Sequence, residues 1–214
     1  MDIILNDIEA RVLGCLIEKS MTTPDYYPLS LVALTTACNQ KSSRNPVMSL
    51  DDTVVVRALD SLKAKRLVVQ GDSSRVPKYA ETFVSLQNMV ARESSLLMVL
   101  LLRGPQTVGE LRTRTERAYK FESTDEVEQT LQDLSEGGWV VQLARQAGRK
   151  EPRYAHLLMG EPDIEISSPA PEAARVEVAL ENEKVEMLAG EVARFREELS
   201  QLKDEFERFK AQFE

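Results

Sequence analysis

Apolar residues in this chain recur at helical spacing, broken by short runs that read as strands. Ile8, Val12, Cys15 and Leu16 fall at i, i+4, i+7 and i+8, which predicts a helix over residues 6–19 opened by an Asn6/Glu9 capping box. A second helix is predicted over residues 29–39, with Leu31, Val32, Leu34 and Thr35 available for burial. Ser49 with Asp52 reads as the cap of a third, in which Val55, Leu59 and Leu62 share the buried face while Arg57, Asp60, Ser61 and Ala64 point outward. Two runs, residues 67–70 and 78–84, then form a hairpin through Gly71-Asp72-Ser73-Ser74.

The pattern then repeats. SLDDTVVVRALDSLKAKRLVVQGDSSRVPKYA returns some way on as STDEVEQTLQDLSEGGWVVQLARQAGRKEPRYA. Leu59, Leu62, Leu67, Val68 and Val69 map at constant offset onto Leu131, Leu134, Trp139, Val140 and Val141. Both copies close with Pro, a basic residue, Tyr and Ala. Ahead of the second copy, SSLLMVLLLR is apolar almost all round, which predicts a helix over residues 91–103 buried between the two halves. Thr107 with Glu110 and Ser123 with Glu126 cap the next two helices, and Gly137-Gly138 ends the last of them. Strands at 139–144 and 153–158 complete the second copy. A helix feeding a β-hairpin is the second half of a winged helix-turn-helix unit. The expected fold is therefore mainly α with small β-hairpins, as tandem winged helix-turn-helix domains at 1–84 and 85–160.

Residues 161–172 read as a linker of Pro, Ser, Ala and acidic residues, and 173–214 as a coiled-coil helix. There Val185, Leu188, Val192, Phe195, Leu199, Leu202, Phe206 and Phe209 all occupy heptad positions a or d. Glu191, Glu198 and Glu205 sit at g, and Arg196, Lys203 and Lys210 at e. Parallel pairing sets Glu against the partner's base, whereas antiparallel pairing sets like against like, so the pattern predicts a parallel homodimer.

Charge is placed unevenly. Residues 1–160 carry 20 basic and 20 acidic side chains, while the last 54 carry 7 and 15, which accounts for the whole net charge of −8. A neutral body lacks the bulk basic character of many nucleic-acid binders, so any such interface must be a local patch. Two cysteines and the absence of a basic, then apolar, leader predict a cytoplasmic protein. The longest apolar run, residues 96–102, is far too short for a membrane span.

Between the second and third helices lies NQKSSRNPVM, polar, basic at Lys41 and Arg44, and far longer than an ordinary helix-turn-helix turn. TACNQKSSRNPVM, with EARVLGCLIEKSMTTPDYYPLS before it and LLLRGPQTVGELRTRTERAY after it, resembles the YceH family of uncharacterised bacterial proteins. That resemblance covers nearly all of residues 5–160. It implies a tandem winged-helix fold and no activity, cofactor or functional residue.

Catalysis finds little support. His156 is the single histidine, on a return strand, and no second Cys or His stands at metal-ligand spacing. There is no phosphate-binding glycine loop and no Ser/His/Asp set, so no enzyme, metal or cofactor is expected. Cys15 reads as a buried thiol. Cys38, beside the polar loop, would be redox-active if Lys41 or Arg44 lowered its pKa.

The fold invites DNA binding through a third helix, yet both candidates lead with acid, Asp51-Asp52 and Asp125-Glu126. Two surfaces remain as contacts to double-stranded DNA or a partner. One is the loop with Asn39, Gln40, Lys41, Arg44 and Asn45, with Arg57 on the third helix nearby. The other is the second hairpin with Arg145, Arg149, Lys150 and Arg153. The reading favoured is a dimeric DNA-binding regulator; the alternative is a non-enzymatic assembly adaptor. Removal of residues 173–214 is expected to leave a soluble monomer in sedimentation equilibrium, and a persistent dimer would refute the coiled-coil assignment.

Overall fold

Local capping chemistry sets where the helices begin. The computed structural model describes residues 3–71, 76–144 and 151–162, with the isolated positions 187, 188, 190 and 194. Helix α1 (Asp7–Thr22) opens on the predicted box: the Asn6 side chain accepts from the Ile8 and Glu9 amides, and Glu9 accepts from the Asn6 amide at 2.9 Å. Strand β1 (Leu29–Ser30), α2 (Leu31–Cys38), α3 (Asp52–Ala64), β2 (Val68–Gly71) and β3 (Lys78–Glu81) follow, the strands forming an antiparallel sheet of order β1-β3-β2. After the short α4 (Phe83–Leu86), α5 (Ala91–Arg103), α6 (Val108–Thr115), α7 (Thr124–Glu136), β4 (Val140–Gln142) and β5 (Tyr154–His156) trace the same order again. The described residues are thus mainly helical with small antiparallel strand sets.

The repeat is visible bond by bond. Helix α3 ends with Arg66 at φ 60° and the Leu67 amide donating to the Leu62 carbonyl at 2.9 Å. Helix α7 ends with Gly138 at φ 72° and the Trp139 amide donating to the Leu134 carbonyl, also at 2.9 Å. Leu29 pairs with Tyr79 in the first half, and Gln106 with Tyr154 in the second, where one bridge replaces strand β1.

Val32, expected to be available for burial, is exposed on α2, and three further details depart from the sequence reading, each for a local reason. Residues 29–30 are strand rather than helix, because they pair with β3, and Ser30 becomes the cap of α2. Helix α3 is capped by Asp51, not Ser49. The Asn39 side chain binds both the amide and the carbonyl of Leu50 at 2.7 Å, which holds that residue outside the helix. Residues 83–86 turn into a helix instead of extending β3, since the Glu81 carboxylate accepts from the Val84 amide and Phe83 is fully buried.

The two halves share one apolar core, and α1 and α5 are its middle. Every residue of α5 from Ser94 to Leu102 is buried. Gly14 lets the helices close: a Cβ there would sit 3.0 Å from Leu102 Cδ2 and 3.1 Å from Leu101 Cβ. The halves also meet where Phe83 sets its ring edge-to-face on Trp139, centroids 5.3 Å apart, and where the Leu5 amide donates to the Leu158 carbonyl at 2.7 Å.

By its contacts the chain divides into two units, Met1–Ile164 and Glu165–Glu214. In the second, Met187, Leu188, Gly190 and Arg194 are helical and exposed, Leu188 by 60%. The remaining heptad positions, Val185, Val192, Phe195, Leu199, Leu202, Phe206 and Phe209, lie outside the described residues, as do Arg145, Arg149 and Lys150. No helix among the described residues is long and apolar enough to cross a membrane.

Close approach at Gly14 predicts a graded response. Gly14→Ala is expected to be nearly neutral, because a helix-propensity gain of about 1 kcal/mol offsets a contact relieved by a few tenths of an ångström. Gly14→Leu is expected to lower the unfolding free energy in urea by about 1–3 kcal/mol through overpacking. Wild-type stability in Gly14→Leu would show that the helices are not held at this distance.

Candidate functional site

Helix α1 carries two groups that reach the polar segment 39–48. The first is Glu18. Its carboxylate takes a two-pronged pair from Arg44, Nη1 to Oε1 at 3.1 Å and Nη2 to Oε2 at 2.6 Å, and the Arg44 side chain has no solvent exposure. Arg44 also donates from Nε to the Ala37 carbonyl and from Nη1 to its neighbour Ser43. The second is Arg11, buried to 2% exposure, which donates to the carbonyls of Cys38 at 3.1 Å and Pro46 at 2.6 Å. On the far side, the Asn45 amide donates to the Leu102 carbonyl at 2.9 Å, and the Asn45 side chain reaches the Arg103 carbonyl. A segment that looks like a free polar loop is therefore laced onto α1 and α5.

Held there, the loop forms one wall of a cleft of about 450 Å³. The end of α1 brings Lys19, the loop brings Gln40 and Lys41, α5 ends in Arg103, and α6 with the turn after it adds Arg114 and Arg117. Five cations converge, and the single carboxylate lining the cleft is Glu18, shared by Arg44 and by Lys19 at 3.0 Å. Arg114 keeps a loose i,i+4 contact with Glu110 at 3.4 Å. Lys41, Arg103 and Arg117 have no hydrogen-bond or ion-pair partner for their side chains among the described residues. Partial burial, and then repulsion from Arg114 and Arg44, lower the pKa of Arg103, which marks the cleft as short of negative charge.

The opposite character is found beside α7. A groove of about 790 Å³ between that helix and the β4–β5 hairpin is lined by Asp125, Glu128, Gln129 and Gln132, with Tyr154 across from them.

Comparison with known proteins gives this geometry a family. A model described as "Protein of unknown function, DUF480" matches residues 5–149. The chain belongs to that family. UPF0502 proteins of Geobacter sulfurreducens and Geotalea uraniireducens are each 52% identical over the whole of both chains. One from Vibrio atlanticus is 48% identical over 95% of this chain and 97% of its own. The resemblance carried by the 39–48 segment and its flanks is thus membership of an uncharacterised bacterial family.

Of the surface residues expected to make contacts in this DUF480 protein, several prove to be structural. Arg44 cannot hold a phosphate, because its guanidinium is buried and fully engaged by Glu18 and two carbonyls. Asn39 spends its amide on Leu50, and Asn45 points its amide at Arg103. Arg153 donates to the Pro105 carbonyl at 2.6 Å and pairs with Glu110 at 3.2 Å. Gln40 is half-buried at the cleft, while Lys41 and Arg57 are exposed. Lys19, Arg103, Arg114 and Arg117 join them unforeseen. The signal available was the spacing of basic residues in LRTRTERAYK and the bases closing α1 and α5.

The cysteines behave differently from the redox expectation. Both are buried and free, and the neighbouring Cys15 thiol and burial push the Cys38 thiol up, outweighing the lowering by Arg11 and Arg44. Among the described residues no cluster of His, Cys, Asp or Glu could hold a metal.

Burial raises the Glu18 carboxyl, and the Arg44 guanidinium more than reverses this, leaving it below the usual carboxylate range. Its stabilisation is therefore complete above the ordinary glutamate pKa and is lost as pH falls through the lower folded value. Glu18→Gln and Arg44→Met are each expected to cost about 3 kcal/mol near neutral pH by stranding a buried partner. Glu18→Gln should also flatten the acid limb of stability against pH. Superimposable curves for wild type and variant would refute the assignment.

Proposed function

We propose that this protein is a non-enzymatic DNA-binding protein built on two winged-helix units, acting as a dimeric regulator through its C-terminal helix. The observation that carries this reading is the cleft in which five cations from both halves surround one already paired carboxylate. Neutralised phosphates supply most of the affinity in such complexes, and a cluster of this kind is their electrostatic footprint. The order of three helices and a strand pair, present twice, with strand β1 in the first half and a single bridge in its place in the second, supports the winged-helix assignment.

The duplex backbone is held by Lys41, Arg103, Arg114 and Arg117, with Gln40 beside them. Arg57 is the exposed cation on α3 without an acidic partner among the described residues, since Lys63 pairs with Asp60 at 2.9 Å. Helix α7 takes no part in contacting DNA. Its acidic groove favours a second reading, an assembly adaptor that presents this face to a basic protein surface.

Salt dependence separates the two. The full chain is expected to bind random duplex DNA near 50 mM salt, with log affinity falling by about 0.9 per decade of salt for each phosphate neutralised. Removing two contacts with Arg114→Ala and Arg117→Ala together should reduce that slope by about 2. No detectable binding at low salt, or an unchanged slope in the double variant, would overturn the DNA reading.

A further inference from the structure

Two recesses border the 39–48 segment, and they differ in charge. One, of about 430 Å³ beside Arg11, is lined by Asn45, Pro46 and Met48 and by apolar side chains such as Leu100 and Leu101. Its lining has two carboxylates, Asp7 and Glu161, against one cation. The other is the basic cleft, where five cations line the wall and the one carboxylate, Glu18, is already taken by Arg44 and Lys19. Of the two, the cleft is the one short of negative charge.

The cations of the cleft differ in exposure. Lys41 and Arg117 are exposed, whereas Lys19, Arg103 and Arg114 are half-buried. Partial burial lowers the Arg103 pKa, and repulsion from Arg114 lowers it further, so these two guanidiniums lie within Coulombic reach of each other. The weaker pull of Glu18 and Glu110 on Arg103 leaves that repulsion uncancelled. Gln40, Ser42 and Ser43 add side-chain donors to the lining, none with a partner among the described residues. Met98, Val99, Leu102 and Ala118 supply its apolar part.

Density of charge decides what such a recess takes. A duplex strand presents its phosphates singly, one per about 3.4 Å of axis, along a convex edge. Three phosphates joined in one chain carry about four negative charges and enter a recess together. Five cations against one carboxylate leave a surplus that such a chain neutralises. We infer that the basic cleft is a binding site for a compact polyphosphate chain, free or borne by a nucleotide, and that its occupation excludes DNA. Lys41, Arg103, Arg114 and Arg117 hold the chain, and the serine and glutamine donors take further oxygens. The exclusion of DNA rests on the DNA reading above; the binding of polyphosphate does not.

Tripolyphosphate and orthophosphate offer the same oxygens and differ in how many phosphates are linked. Titrated calorimetrically into the full chain at about 0.1 M salt, without DNA or divalent cations, tripolyphosphate is expected to bind at one site per chain. Orthophosphate should bind at least tenfold more weakly. Lys41→Gln and Arg117→Gln together remove two exposed cations and should weaken tripolyphosphate at least tenfold. Lys63→Gln removes a cation on α3 outside the cleft and should leave the affinity within about twofold. ATP binding more tightly than tripolyphosphate assigns the site to a nucleotide; equal or weaker binding assigns it to a free chain. Equal affinity for tripolyphosphate and orthophosphate, wild-type affinity in the double variant, or an equal loss in Lys63→Gln would overturn the site. Saturating tripolyphosphate should also release bound duplex DNA, whereas orthophosphate at equal ionic strength should not. Tripolyphosphate binding with no DNA binding overturns the DNA reading alone, and DNA binding with no tripolyphosphate binding overturns this site alone. Both bound at once would overturn the exclusion.

Discussion

Two buried guanidiniums hold this structure's least regular segment in place. Polar chain between α2 and α3 would ordinarily be a solvated excursion, yet Arg11 and Arg44 bring charge inside the fold to fasten it. Arginine suits the task because its planar fork spans a carboxylate and several carbonyls at once, which a lysine cannot do. Among the described residues, only Arg44 of the two receives a carboxylate in return. The first half's long turn, the basic cleft and the cavity beside Arg11 all take their shape from this fastening.

What was legible in the sequence was what is local. Capping boxes at Asn6 and Thr107 lie within four consecutive residues, and their geometry matches the reading. The duplicated end of α3 and α7 could be seen as an offset between Leu62 and Leu134, and it reappears as the same hydrogen bond in both copies. The burial of SSLLMVLLLR followed from its lack of a polar face.

What was not legible depends on pairs distant in the chain. Arg44 looks like surface because its burying partner, Glu18, stands 26 positions earlier on α1. Arg153 reads as a basic hairpin residue until Glu110 and Pro105 are brought under it. The cleft gathers Lys19, Lys41, Arg103, Arg114 and Arg117 from separate stretches, so no window of sequence contains the cluster. An average of zero net charge over residues 1–160 hides it further, since the acidic α7 face balances it.

The 39–48 segment is a partition with a chamber on each side. Gln40 to Ser43 face the cationic cleft, while Asn45, Pro46 and Met48 line the apolar cavity. Glu18, which grips Arg44, and Arg11 hold it from the same helix, less than two turns apart. One run of ten residues, between Cys38 and Ser49, thus contributes to the lining of both chambers, and a change in its path alters both.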